Sequence, residues 1–424
     1  MVNQLLLPGH VEHIVGFAAL RAPIESVAGP LSTQALASQI FGLYTGFVHF
    51  TPLLGGMIAD RWTGQRTAVV IGALSMFAGH LAMAFDQSFL LALLLLIIGS
   101  GFLKGNISAL VGAVYSADDE ARRTRGFLIF STGINMGAVL GPFLCGVLAQ
   151  VYGWHVGFGA AAIVMLVGLA TYLSGYRHLP ARIARVGAPQ GPLNSADWRV
   201  IRALIVVIFI VIFPSIAFVQ HFNVMPVWIQ DHVALNVGSF RIPIPWYQSI
   251  DPLTSVLAAA PLLWIWRRQT TRGSKSGELA KIGAGAWISA ASNLILVAAI
   301  YGSGGHPVSP VWPFLHCVGL GVAFIYYWPT VLALVARAAP PKVNATMMGI
   351  VFMSLFISHL LIGWLGGFYE RISPIWFWAA HALIGAAGGL LVMAFGRRLR
   401  HALADASGTD RKWANLLCYL PPRR

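Results

Sequence analysis

Acidic side chains are scarce in this chain: Asp and Glu number 14 among 424 residues, against 28 Lys and Arg. Charge of either sign makes up 10% of the composition, where a soluble domain carries about 25%. Too little charge is present to cover a water-facing surface, which excludes an ordinary soluble fold. The 57% of hydrophobic residues equally excludes a disordered chain. Cysteine is nearly absent. Cys145, Cys317 and Cys418 are scattered and make no metal or redox spacing, and the first two fall in apolar segments as small packing residues. There is no nucleotide-binding loop, nucleophile–base pair or metal-ligand cluster, and the spacing of His10 and His13 alone does not make one. Neither an enzyme nor a cofactor is expected. A basic n-region and a small-residue cleavage site are also missing before the first apolar segment, so no cleaved leader is expected.

What the chain has instead is long apolar runs. Twelve stand out, at about 5–29, 36–59, 66–86, 88–114, 125–150, 154–175, 200–229, 245–266, 280–303, 309–336, 344–368 and 374–396. Each is long enough to cross a hydrocarbon layer of about 30 Å. The lipid bilayer is therefore the expected surroundings.

The net charge of +14 would suit nucleic acid, but its distribution points elsewhere. Of the 28 cations, 24 fall in one alternating set of loops and the tail, from Arg61 and Arg66 through Arg122, Arg177 and Lys281 to Arg424. The other set holds only Arg241 and Arg371. Basic loops stay on the cytoplasmic side. This places both termini in the cytoplasm of a bacterial-type inner membrane, and no nucleic-acid partner is expected.

Two cations remain inside apolar runs, Arg21 and Lys104. An ammonium at the centre of a membrane helix costs about 2.5–3.5 kcal/mol on insertion scales. Such residues face a polar cavity and mark a binding function. Desolvated cations bind carboxylates well, Arg as a planar fork and Lys as a point charge. The alternative for Arg21 is an ion pair with Glu25, one turn on. For Lys104 it is bonding to backbone carbonyls. The stretch 176–199 is rich in Pro, Gly and Arg and divides the chain into 1–175 and 200–396, six spans each, with a polar tail at 397–424.

The loop after the second span reads Gly55-Gly56-Met57-Ile58-Ala59-Asp60-Arg61-Trp62-Thr63-Gly64-Gln65-Arg66. Gly55, Gly56 and Gly64 permit close helix approach and a tight turn. Asp60, next to Arg61, can bond backbone donors or a helix N-terminus and latch one conformation. The fourth span reads Gly101-Phe102-Leu103-Lys104-Gly105-Asn106-Ile107-Ser108, and the fifth contains Gly133-Ile134-Asn135-Met136-Gly137. Trp246-Tyr247-Gln248-Ser249-Ile250-Asp251-Pro252 opens the eighth. On these segments the chain resembles the proton-dependent oligopeptide transporters of the major facilitator superfamily, whose fourth helix carries G-x-x-K-P-N-x-S.

The resemblance implies an all-α membrane protein of twelve transmembrane helices in two six-helix bundles around a midplane site. Helices one, two, four, five, seven, eight, ten and eleven should contribute to the cavity, with three, six, nine and twelve outside. It implies a secondary transporter of peptides or peptide-like small organic anions, moved with protons by alternating access, by a monomer. Arg21 and Lys104 match the positions that hold a peptide's carboxylate, and both should point into one cavity. Asn135, Gln220, Asp251, Phe324 and Tyr326 are the further substrate-site candidates.

Departures from the family are as informative. Where its first helix carries E-x-x-E-R, this chain has His10, His13 and Ile14. The seventh-helix glutamate aligns with Val219, beside Gln220, and the tenth-helix glutamate with Phe324. The second-helix tyrosine aligns with His49 and the eighth-helix asparagine with Asp251. The amine-recognition end is thus lost or moved. Asp251 could replace it, or merely cap a helix before Pro252. Tyr326, Tyr327 and Trp328 read either as an aromatic wall or as core. Proton coupling would fall to His10, His13, His49, Asp251 or Glu25, since histidine titrates near neutrality. On one continuous helix His13, Phe17, Arg21 and Glu25 would share a stripe. His10 could instead lie at the cytoplasmic mouth. His80, His316, His359 and His381 read as packing histidines. An exporter of drugs or natural products with the same fold, and a non-transporting binding protein or transceptor, are the competing readings.

Overall fold

The computed structural model describes residues 11–115, 120–180, 192–271 and 277–417. It is built almost wholly of helices. In chain order the principal ones are α1 (Phe17–Ala28), α2 (Thr33–Ile58), α3 (Gln65–Ala82), α4 (Phe89–Val114), α5 (Glu120–Tyr152) and α6 (Trp154–Gly175). The second half continues with α7 (Ser195–Asn223), α8 (Tyr247–Thr271), α9 (Glu278–Ser303), α10 (Val311–Ala338), α11 (Asn344–Gly366) and α12 (Pro374–Leu417). Between α7 and α8 lie a short helix, Met225–His232, and a two-residue antiparallel hairpin, β1 (Asn236–Val237) with β2 (Phe240–Arg241).

Among the described residues nine helices, those from α4 to α12, are long and apolar enough to cross a membrane. α2 and α3 have the length but are less apolar. α1 departs from expectation. Of the segment expected to span from 5 to 29, only 12 described residues form α-helix, about 18 Å at 1.5 Å per residue. Gly16 takes the left-handed conformation (φ 79°) and separates α1 from the 3₁₀ turn Val11–His13. The N–H of Val15 donates to the Gln87 carbonyl at 3.1 Å, anchoring this turn beside the α3–α4 loop.

Two boundaries also differ. The seventh span breaks at Val224 and restarts as the short helix, with Pro226 in its first turn. α12 does not stop near 396 but runs on to Leu417. Leu399 and Leu403 are buried in one cluster with Val200 and Leu204 of α7. The expected tail therefore begins as a continuation of α12. α7 itself starts at a capping box, in which Asn194 accepts from the Asp197 N–H and the Asp197 carboxylate accepts from the Asn194 N–H.

In the N-terminal half α4 packs on α2 and α3, and α6 on α3 and α5. In the C-terminal half α12 packs on α9 and α7, and α10 on α8 and α9. The two halves meet chiefly through α2 with α11 and α5 with α8. Thus α3, α6, α9 and α12 have their main contacts within their own half, as outer helices should. Apolar side chains such as Ile129 (73% exposed), Val164 (68%) and Leu383 (71%) point outward, where hydrocarbon would cover them.

The α2–α11 seam is a backbone contact. A Cβ on Gly42 would lie 2.6 Å from the Gly363 Cα and the same distance from the His359 carbonyl oxygen. Small residues let membrane helices approach this closely. The α5–α8 seam is polar and aromatic. Ser249 donates to the Val139 carbonyl at 2.7 Å and the Trp246 indole to that of Phe143 at 3.1 Å. Trp246 also stacks on Phe143, with ring centroids 4.5 Å apart. The α2–α11 seam runs from Ser38 and Gly363 down to Phe50 and Phe356, whereas the α5–α8 seam lies toward the end of the molecule opposite Asp60. At that end the Ser32 hydroxyl, which also caps α2, donates to Glu370 in the α11–α12 connection.

Candidate functional site

Lys104 stands on α4 between two glycines that face α2. A Cβ on Gly101 would press on Thr51 at 2.9 Å, and one on Gly105 would rest 3.7 Å from the Pro52 carbonyl oxygen. Asn106 donates to the Phe102 carbonyl at 2.9 Å and reaches the Gly55 carbonyl at 3.4 Å, tying α4 to α2. Ser108 returns a hydrogen bond to the Lys104 carbonyl at 3.1 Å. Motif neighbours thus hold the helix while the lysine side chain stays solvent-accessible. Its ammonium is within electrostatic reach of His49 and His359.

Those two histidines come from opposite halves. His49 of α2 and His359 of α11 are stacked, with centroids 4.5 Å apart and planes 23° from parallel. Each Nδ1 lies against a carbonyl four residues back, Thr45 at 2.8 Å and Leu355 at 2.7 Å. A carbonyl only accepts, so both Nδ1 atoms carry hydrogen and each Nε2 is left to take a proton. His359, read from sequence as packing, therefore lies in the α2–α11 seam within electrostatic reach of Lys104. No sequence signal could have paired it with His49.

Arg21 has a separate environment. Its guanidinium pairs with Glu25, Nε to Oε2 at 2.9 Å and Nη2 to Oε1 at 3.0 Å. Glu25 also accepts the Leu31 N–H at 3.1 Å. Arg21 lines a shallow pocket with Val11, Phe17, Leu31, Thr33 and Leu36. Arg21 is thus engaged by Glu25 and this pocket, whereas Lys104 acts on His49 and His359. His13 lies in the 3₁₀ turn before Gly16, so the single stripe expected through His13, Phe17, Arg21 and Glu25 is broken. His10 lies outside the described residues.

In the C-terminal half Asp251 is buried within α8 and does not cap it. Its Oδ1 is 3.3 Å from the Nε2 of His221, a residue of α7 with no distinguishing sequence signal. Gln220 is fully buried, and neither of its amide atoms has a hydrogen-bond partner among the described residues. Phe324 stacks on Phe218 at 5.3 Å and faces Tyr327 and Trp328, forming an aromatic cluster. Tyr326 instead meets Trp266 edge-on at 5.2 Å and packs toward Gly285 of α9. Asn135 donates to the Ser131 carbonyl of its own helix at 3.0 Å.

The loop after α2 is a π-helical turn, Ala59–Thr63, closed by Gly64 at φ 73°. Asp60 accepts from the Gln65 side chain at 2.7 Å, at the first residue of α3. A Cβ on Gly55 would run into the Gly101 backbone, whereas one on Gly56 would meet nothing within 4 Å. Arg61 is exposed. At the other end, burial pushes the Asp231 carboxyl above the usual carboxylate range; His232 opposes the shift and Glu370 adds to it.

A sequence profile of the POT family matches residues 66–186 and 193–378. The chain is 27% identical over 404 residues to the peptide transporter YePEPT of Yersinia enterocolitica, covering 78% of this chain and 79% of that one. It is 26% identical over 430 residues to the uncharacterized transporter YclF of Bacillus subtilis, covering 87% of each. Among solved structures, a peptide transporter POT in complex with alafosfalin superposes with a TM-score of 0.80 at 22% identity, covering 88% of each chain.

Proposed function

The chain belongs to the POT family of transporters, and from that premise we propose that it moves peptides or peptide-like small organic anions by proton-coupled alternating access. Lys104 carries the reading: a solvent-accessible ammonium on a membrane helix, beside histidines contributed by both halves. A carboxylate there gains charge-assisted hydrogen bonds in place of water. With Phe324 in an aromatic cluster rather than an acid, the anionic end of the cargo is recognised more strongly than any amine. The Yersinia relative named as a peptide transporter supports the cargo class. The basic loops support an inner-membrane protein with both termini in the cytoplasm, which puts the Ser32–Glu370 contact and the α5–α8 seam on the periplasmic side.

The test is uptake of labelled dialanine by proteoliposomes. An inward acid gradient should drive accumulation above the external concentration, and a protonophore should reduce it to equilibration. Equilibration alone under both conditions would leave a carrier without proton coupling. No uptake at all would exclude dialanine as cargo.

A further inference from the structure

The hydrogen bonds around His221 set the proton count of one buried pair in the C-terminal half. Its Nδ1 lies 2.6 Å from the Phe218 carbonyl oxygen, and its Nε2 lies 3.3 Å from Asp251 Oδ1. A carbonyl cannot donate, so Nδ1 carries hydrogen. The contact to Asp251 then needs one more proton. Either Nε2–H of an imidazolium donates to a carboxylate, or a protonated carboxyl donates to a neutral Nε2. Without it, a bare lone pair would face a carboxylate in a site where the two side chains are 1% and 8% exposed. Burial makes such an unpaired charge costly.

The other buried histidines of this half behave differently. His316 has Nδ1 on the Ser292 carbonyl at 2.8 Å, and His381 has Nδ1 on that of Phe377 at 2.8 Å. In both, Nε2 has no hydrogen-bond partner among the described residues, as suits a neutral ring. The titratable groups acting on the pair from neighbouring helices are His316, Cys317 and Tyr327 of α10, with His381 of α12 acting on His316. Among these described groups none is a carboxylic acid, and Lys104 and Arg21 belong to the other half.

We propose that the His221–Asp251 pair is the coupling-proton site of this transporter, in place of the acids that its first, seventh and tenth helices lack. This rests on the proton-coupled reading above and deepens it. A proton from the aqueous phase adds to the pair and leaves by the same atoms, with no other bond made or broken. Its loss sets Nε2 against the carboxylate and separates α7 from α8. Asp251 is two residues from Ser249, which bonds Val139 of α5 across the halves. α8 thus carries both the pair and a hydrogen bond across the halves, so a shift of α8 on proton loss reaches the α5–α8 seam. Gln220, adjacent to His221 and buried with its amide unpartnered, is placed to order a water on that path.

The experiment has a ligand-free arm. ¹⁵N-histidine NMR and infrared spectroscopy on the full chain at pH 7.5 should show a doubly protonated imidazole or a protonated carboxyl. A doubly protonated imidazole should vanish in both His221→Gln and Asp251→Asn, and a protonated carboxyl should vanish in Asp251→Asn. Absence of both signals in the parent protein overturns the assignment, whatever the cargo proves to be. In the transport arm, Asp251→Asn, whose amide donates to a neutral Nε2 permanently, should lose gradient-driven dialanine accumulation while keeping counterflow exchange. Full accumulation by Asp251→Asn would overturn the proposal even if the spectroscopic signal is present.

Discussion

At the residue scale, the two histidine sites differ in what their partners demand. His49 and His359 lie within electrostatic reach of Lys104, and a bound anion would supply the opposite charge. At His221 the acidic partner is already present as Asp251, and in the ion-pair form of the pair it supplies that charge. Removing the histidine strands a buried carboxylate, and breaking a buried pair in this way costs roughly 3–5 kcal/mol. Removing the acid leaves a neutral ring with a bare nitrogen, as His316 and His381 already have. His221→Leu should therefore lower unfolding stability in detergent by about 3–5 kcal/mol, and Asp251→Leu by a smaller amount, about 1–3 kcal/mol. Equal losses would mean that the pair is held as a protonated carboxyl on a neutral imidazole and not as an ion pair. Asp251 could be flagged from sequence because an acid in an apolar run is conspicuous. His221 could not, because its meaning lies in a neighbour 30 residues away on another helix.

At the scale of elements, the α2–α11 seam depends on Gly42 and Gly363. A leucine at 42 would overlap the Gly363 Cα and the His359 carbonyl, and nothing on a packed backbone can yield. A disulfide between Ser32→Cys and Glu370→Cys should form efficiently in the parent protein and severalfold less in Gly42→Leu. Gly56→Leu, which would meet open space, should leave the cross-link unchanged. Most helices were legible because apolar runs bounded by Gly, Pro and Arg leave little choice in length. α1 was not. A stripe drawn at 100° per residue assumes an unbroken helix, whereas Gly16 adopts a conformation only glycine takes easily. The end of α12 was misplaced for a related reason: polar composition after 396 suggested a separate tail, but Leu399 and Leu403 continue the buried face.

At the scale of the whole molecule, the division into two halves followed from the 176–199 stretch and the loop charges. Their mode of contact did not. The pairing of α2 with α11 and of α5 with α8 joins residues far apart in sequence, and only the fold brings His359 to His49. The central claim is that an anionic cargo is held by Lys104 between the halves. Its most direct test is equilibrium binding of dialanine and its C-terminal amide to the purified protein and to Lys104→Ala. A charge-assisted hydrogen bond contributes about 1.5–3 kcal/mol. Dialanine should thus bind about tenfold or more weaker to Lys104→Ala, while the amide binds weakly and equally to both proteins. Equal affinity of the parent protein for dialanine and its amide, or an undiminished affinity of Lys104→Ala for dialanine, would contradict it.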